Sequence, residues 1–277
     1  MVRSLVVGLD GSAYSTAAVE LGLCWAQRCE AVLVGLGVID APTICQAQPV
    51  PLGATAYKVQ RDARLLADAH HTVAQCVEHY AQRCAEARVR CQVRQEVGSP
   101  AECLLLEAQR DDLIVLGQQT FFHFATQDTP DDTLAVVVKQ SPCPVVAVPA
   151  TLPEGRAVVV AYDGSLHATR ALHMFQALEL ASASDVHVVC VDAQQERATG
   201  CAARAVAFLH GHNIGAQAHA LATAASPAQV ILEQVRQVEA SVLVMGAYGR
   251  STLRELFGTS LTSTMLRESP VPLFLSH

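Results

Sequence analysis

Ser4-Leu5-Val6-Val7-Gly8-Leu9-Asp10-Gly11-Ser12 and Ala157-Val158-Val159-Val160-Ala161-Tyr162-Asp163-Gly164-Ser165 are two forms of one string, an apolar run closed by Asp-Gly-Ser. An unbroken apolar run of this length suits a strand buried on both faces of a parallel sheet. The serine after Asp-Gly is placed to cap a helix opening near Ala13 in the first copy and near Leu166 in the second. The two copies divide the 277 residues into two halves of similar plan.

The rest of the repeat follows in register. Ala31 to Val38 and Val186 to Val191 are second apolar runs, leading into Asp40 and Asp192. Ser99-Pro100-Ala101 matches Ser226-Pro227-Ala228, where serine caps and proline takes the first helical turn. Leu113 to Gly117 matches Val242 to Gly246 as a central strand meeting a glycine. Ser141-Pro142-Cys143-Pro144-Val145-Val146-Ala147-Val148 matches Ser269-Pro270-Val271-Pro272-Leu273-Phe274-Leu275 as the approach to a last strand. Strands and helices alternate throughout. The expected class is therefore α/β, with two doubly wound, mostly parallel five-stranded sheets carrying helices on both faces. The domains are expected at residues 1–150 and 151–277, joined by a linker over 150–156. The halves differ in the middle: residues 41–57 read as a Pro-containing apolar loop before a long helix from Lys58 to about Arg88, where the second half has only a short connection.

Composition narrows the function. Half the residues, 51%, are hydrophobic, 16% are charged and the net charge is −7. That balance suits a compact globular protein and lacks the basic surface that nucleic-acid binding requires. No apolar stretch is long enough for a membrane helix, and Arg3 opens directly into a short strand rather than a signal peptide, so the expected location is cytoplasmic, with no membrane partner. The ten cysteines are scattered without a C-x-x-C pair or mirrored spacing between the halves, and read as reduced, buried small hydrophobes. Cys76, His79 and Cys84 share a helix, but their spacing matches no familiar zinc site, and no metal site is expected there.

The chemistry concentrates near the end of the chain, in Val244-Met245-Gly246-Ala247-Tyr248-Gly249-Arg250, then Ser251 to Phe257 and Gly258-Thr259-Ser260. Glycines at 246 and 249 allow backbone to approach a bulky anion. A helix opening at Thr259 and Ser260 presents free amides and hydroxyls to it, and Arg250 and Arg254 add positive charge. In a parallel sheet, ligands bind beyond the carboxyl ends of strands where the order reverses, so Asp163 and Gly246 can share one crevice. Each residue also has a plainer reading. Asp-Gly is an ordinary turn, Gly246 and Gly249 suit a tight turn without a ligand, the arginines suit solvated charges, and Thr259 and Ser260 suit a helix cap. The matching stretch of the first half, Gly117 to Thr133, lacks the second glycine and carries Asp128, Asp131 and Asp132 with no lysine or arginine. That half is expected not to bind nucleotide, with Asp10 a vestige or a turn former and Phe121, Phe122 and Phe124 packing under a loop, or else covering the vacated crevice or making an interface.

With both Asp-Gly-Ser strings, the Gly246-Ala247-Tyr248-Gly249 turn and both Ser-Pro-x-Pro approaches in view, the chain resembles the universal stress protein family in its tandem form, over essentially its whole length. The resemblance implies an adenine nucleotide, ATP foremost, with Mg2+ as an option. It implies that Asp163 meets the adenine and ribose end, that backbone at Val191 meets adenine, and that Gly246, Gly249 and Arg250 lead to the phosphates. Nucleotide-binding members separate the second glycine from the next by nine residues, whereas Gly249 and Gly258 here are separated by eight. Gly258 with Thr259, or Thr259 with Ser260, then stands at the phosphate turn. The resemblance further implies an internal pseudo-dimer, residues 145–148 against 271–275, and leaves open a homodimer of two chains.

Neither a G-x-x-x-x-G-K-[ST] loop nor a G-x-S-x-G elbow nor a G-x-G-x-x-G fingerprint is present. Without a lysine for the transferred phosphate, or a positioned base other than Glu255, no catalytic residue is expected and at most slow ATP hydrolysis. The expected role is a nucleotide-dependent regulator or protective factor in a stress response; an interaction or scaffold protein with a lost site is the alternative.

Overall fold

The computed structural model describes residues 1–46, 55–124, 129–180, 185–247 and 261–277. It divides into two compact units, Arg3–Ser141 and Pro142–His277 with Met1–Val2.

The first unit runs β1 (Ser4–Leu9), α1 (Ala13–Cys29), β2 (Val32–Ile39), α2 (Ala41–Ile44), α3 (Thr55–Ala87), β3 (Cys91–Val97), α4 (Pro100–Glu107), β4 (Leu113–Gly117) and α5 (Thr133–Gln140). Its strands lie in the order β3-β2-β1-β4, and the pairs of β1 with β2, β1 with β4 and β2 with β3 are parallel. The apolar runs form the central strands because parallel strands covered by helices on both faces tolerate little polarity. Leu5, Val6, Val7, Leu113, Ile114 and Val115 are completely buried.

The second unit runs β5 (Val145–Val148), β6 (Ala157–Ala161), α6 (Leu166–Ala177), β7 (Val186–Asp192), α7 (Gln195–Gly211), β8 (Ala216–Ala222), α8 (Pro227–Gln237), β9 (Ala240–Gly246), α9 (Leu261–Glu268) and β10 (Leu273–Ser276). Its order is β5-β10-β9-β6-β7-β8. All these pairs are parallel except β5 with β10, which run antiparallel with Phe274 opposite Val146. The pairing that the resemblance implied between residues 145–148 and 271–275 is thus present, as an antiparallel edge inside this unit.

Three local expectations are modified. The loop after β2 opens with the short helix α2, capped by Asp40, whose carboxylate accepts the Thr43 amide at 3.1 Å. Ser99 and Ser226 precede their helices without a side-chain capping bond; Pro100 and Pro227, with φ pre-set and no N–H to satisfy, start α4 and α8. Cys84 is fully buried and its thiol meets Cys91, while Cys76 and His79 line a separate cavity of about 230 Å³ between α1 and α3. Among the described residues no three potential metal ligands converge. Among them, too, no helix is long and apolar enough to cross a membrane.

Candidate functional site

In each unit the strand order reverses between the first strand of the repeat and the central strand: β1 and β4 in one, β6 and β9 in the other. Ligand crevices of open parallel sheets lie at that reversal. Asp10 and Gly117 stand there in the first unit, and Asp163 and Gly246 in the second.

The two Asp-Gly-Ser turns are built alike. Gly11 and Gly164 both have φ +76°, in the left-handed region that favours glycine. Asp10 Oδ1 accepts the Ser12 amide at 2.9 Å, and Asp163 Oδ1 accepts the Ser165 amide at the same distance. Ser12 Oγ accepts the Ser15 amide at 3.0 Å and Ser165 Oγ that of Ala168 at 3.2 Å, capping α1 and α6. Both aspartates are therefore turn formers through one oxygen. Among the described residues, what the second oxygen meets separates the units.

Asp10 Oδ2 accepts the backbone amide of Phe121 at 2.8 Å, and the residue is 5% exposed. The described residues of the segment it holds, 120–124 and 131–133, are tied down in turn. Asp131 accepts the amides of Phe122 at 2.7 Å and Thr133 at 2.9 Å, and also the hydroxyl of Thr120. Phe122 is 1% exposed, its ring over β1, where a Cβ on Gly8 would come within 2.9 Å of it. His123 Nδ1 lies 2.7 Å from Oδ2 of buried Asp40. Phe124 packs on the cluster of Ile39, Ile44, Ala69 and Val73, with φ +45°, a conformation non-glycine residues adopt only when their surroundings impose it. Phe121 stacks on Tyr14 with centroids 6.4 Å apart. The chain's own backbone and aromatic side chains therefore occupy the first unit's reversal point. A shallow pocket of about 400 Å³ remains, bordered by Asp10, Tyr14, Phe121 and Phe124. Of the sequence readings for these phenylalanines, packing is what the described residues show, with Phe122 buried and Phe121 and Phe124 bordering the pocket.

Burial raises the Asp10 carboxyl above its ordinary 3.8, more than the amides of Ser12 and Phe121 lower it. A raised folded value means the folded state holds the proton more tightly than the unfolded chain. Asp10 then contributes stability that is full below 3.8 and is lost as pH climbs through the raised value. Relative to an Asp10→Asn protein, the wild type is expected to lose stability as pH rises from the ordinary value of 3.8 through the raised folded value, read by paired urea denaturations. A difference that grows in the opposite sense would refute the assignment.

Asp163 in the second unit is exposed, and among the described residues no donor meets its second oxygen. Exposed Arg204 of α7 reaches the same turn, where a Cβ on Gly164 would lie 3.4 Å from Nη2. Val191 sits half-buried at the end of β7, paired with Leu221. Gly246 ends β9 against the first turn of α6: an added Cβ would be 2.5 Å from the Ala168 nitrogen and 2.5 Å from the His167 carbonyl carbon. Gly117 is its counterpart: an added Cβ would be 2.6 Å from Tyr14 Cβ and 2.7 Å from the Gln119 carbonyl oxygen. Close strand–helix packing thus accounts for glycine at both positions. Ala247 continues the strand direction, its amide donating to the Ser276 carbonyl at 2.8 Å. Gly249, Arg250, Arg254, Gly258, Thr259 and Ser260 lie outside the described residues.

Sequence reasoning missed Arg204 and the equivalence of Cys76 with Cys201. A Cβ on Gly11 would sit 3.0 Å from Cys76 Sγ, and one on Gly164 3.3 Å from Cys201 Sγ. Two cysteines therefore back the two turns from the following helices, a symmetry that linear spacing hides behind the inserted loop. Burial raises both thiols above their ordinary value. The helical offset from Cys201 to Arg204 was the available signal, since residues three apart share a face.

The sequence model of the universal stress protein family matches residues 1–149 and 202–277. Asp163 and Val191 lie in the intervening stretch. The solved universal stress protein from Archaeoglobus fulgidus DSM 4304 is similar at TM-score 0.66 and 18% identity, covering 99% of this chain and 97% of that one. A functionally unknown protein from Pseudomonas aeruginosa PAO1 is similar at TM-score 0.58 and 14% identity, covering 99% and 92%. Likeness at these identities speaks for the fold. No curated protein matches the chain. The duplicated α/β plan and the family match over both units agree: the chain belongs to the universal stress protein family.

Proposed function

We propose that the second unit binds an adenine nucleotide, ATP foremost, and that the protein acts in a stress response as a nucleotide-dependent regulator or protective factor, with the first unit not binding nucleotide. The observation that carries this reading is the contrast between the aspartates. Asp10 spends its second oxygen on the Phe121 amide, whereas Asp163 keeps an exposed carboxylate at the equivalent reversal point. An exposed carboxylate there suits the hydroxyls of a ribose, and Arg204 beside the turn suits a phosphate or the edge of a base. The described residues Asp163, Val191 and Gly246 fit such a ligand. Gly249, Arg250, Gly258, Thr259 and Ser260 would hold its phosphates, with Mg2+ supplying counter-charge where it is bound. Bound nucleotide supplies the negative charge and the adenine ring; the chain supplies the turn that receives them. No residue here is assigned to catalysis, and hydrolysis would be slow.

ATP at 100 times its dissociation constant is expected to stabilise the protein by about 2.7 kcal/mol, read by thermal or urea denaturation. Gly249→Val should abolish that shift and Asp163→Ala should reduce it, while Asp10→Ala should leave it unchanged. Absence of any shift with ATP, ADP or AMP, with or without magnesium, would overturn the reading. One observation favours the scaffold alternative: packing against α6 already requires Gly246 without a ligand. The same titration separates the two. Domain limits at 150 and 151, a cytoplasmic location and pairing of two chains belong to the same proposal; equilibrium sedimentation tests the last.

A further inference from the structure

Two imidazoles meet across β7 and β8, away from the nucleotide crevice. His187 Nδ1 and His219 Nε2 are 2.9 Å apart, with ring centroids 5.1 Å apart and planes inclined by 45°. The strand register places His187 beside Gln217 and Val189 beside His219, so the two rings reach each other diagonally on one face. That face is opposite the one where Cys190 meets Cys201 of α7. β8 is an edge strand of its unit, and both histidines are only half-buried.

We propose that His187 and His219 form a two-imidazole clamp for a divalent late transition metal, copper(II) or nickel(II) in preference to zinc. The choice rests on ligand chemistry, and the 2.9 Å hydrogen bond between the rings shows that both nitrogens come within reach of one ion. Imidazole suits these ions, and copper(II) stands highest among divalent first-row metals for nitrogen sites. In the metal-free pair one ring donates an N–H to the other's lone pair. To bind, both rings swing so that His187 Nδ1 and His219 Nε2 point at a common apex, and the shared proton moves to the far nitrogen of its own ring. Both rings stay neutral, and no net proton is released. Partial burial and the neighbouring ring already disfavour the charged form of His219. Water, or the side-chain oxygen of exposed Gln217 beside His187, would complete the ligand set.

The test is a titration of the full chain with copper(II) chloride, followed by electron paramagnetic resonance and by histidine-ring NMR. The expected result is one ion coupled to two nitrogens per chain, with the rings of His187 and His219 broadened before those of the other nine among the 11 histidines. His187→Gln and His219→Gln should each lose that two-nitrogen signal, and the double variant should bind one ion fewer. Earlier broadening at any other histidine pair in the wild type would overturn the proposal whether or not the variants fold. So would an unchanged two-nitrogen signal in a folded single variant. Because the pair is apart from Asp163 and Gly246, loss of copper binding with an intact ATP-induced shift distinguishes this site from the nucleotide site.

Discussion

Replacing Phe122 with alanine is expected to lower the stability of the first unit by about 3–5 kcal/mol, the range for deleting a fully buried aromatic ring. Against a typical domain stability of about 5–15 kcal/mol, that is a large fraction. The size follows from the ring's position, 1% exposed and seated over Gly8 at the reversal point between β1 and β4. Its backbone amide would still donate to Asp131, so the loss is one of packing rather than of hydrogen bonding. Urea denaturation with amide exchange over Arg3–Ser141 measures it. A cost below about 1 kcal/mol would mean that the segment is an ordinary surface loop rather than a filling of the crevice. Phe122→Leu should recover much of the loss, since a large apolar side chain restores most of the buried volume.

Gly246→Val is expected to destabilise the second unit by about 3 kcal/mol or more, the upper end of overpacking costs, before any nucleotide is added. The atoms an added Cβ meets at 2.5 Å belong to the backbone of His167 and Ala168, so relief requires moving the first turn of α6 itself. Moving that turn also disturbs the Ser165 cap and the Asp163 turn next to it. Gly117→Val should damage the first unit for the same reason, against Tyr14 and the Gln119 carbonyl. Denaturation of both variants without ligand is the measurement. A Gly246→Val protein of wild-type stability that nevertheless fails to respond to ATP would show that this glycine serves the ligand and not the packing.

Much of the fold was legible because a repeat states its pattern twice. The apolar runs at residues 4–9 and 157–161 read as buried parallel strands without knowledge of their neighbours, since only a strand covered on both faces excludes polar residues so completely. Ser12 and Ser165 read as caps from their position alone, and both make the bond. Ser99 and Ser226 read the same way and do not, because a capping bond depends on a rotamer and on what competes for the hydroxyl. The candidate site was less legible. Acidic residues and a missing glycine in residues 117–133 argued against phosphate there, but charge says nothing about what fills the space instead.

That filling is a tertiary matter. Asp10 reaches Phe121 across 111 positions of sequence, and His123 reaches Asp40 across the chain from α2 to β4; no local pattern reports either contact. Cys76 and Cys201 occupy matching places behind Gly11 and Gly164 although the inserted loop gives them different linear offsets. The sequence by itself determined the duplicated α/β plan, the aspartate turns and the difference in glycine and charge between residues 117–133 and 246–260, because hydrophobic periodicity, turn geometry and local charge act over short ranges. Only the tertiary structure decided that Asp10 is committed to its own chain while exposed Asp163 meets no such donor among the described residues, because a carboxylate's availability depends on which distant amide the fold brings within hydrogen-bond distance.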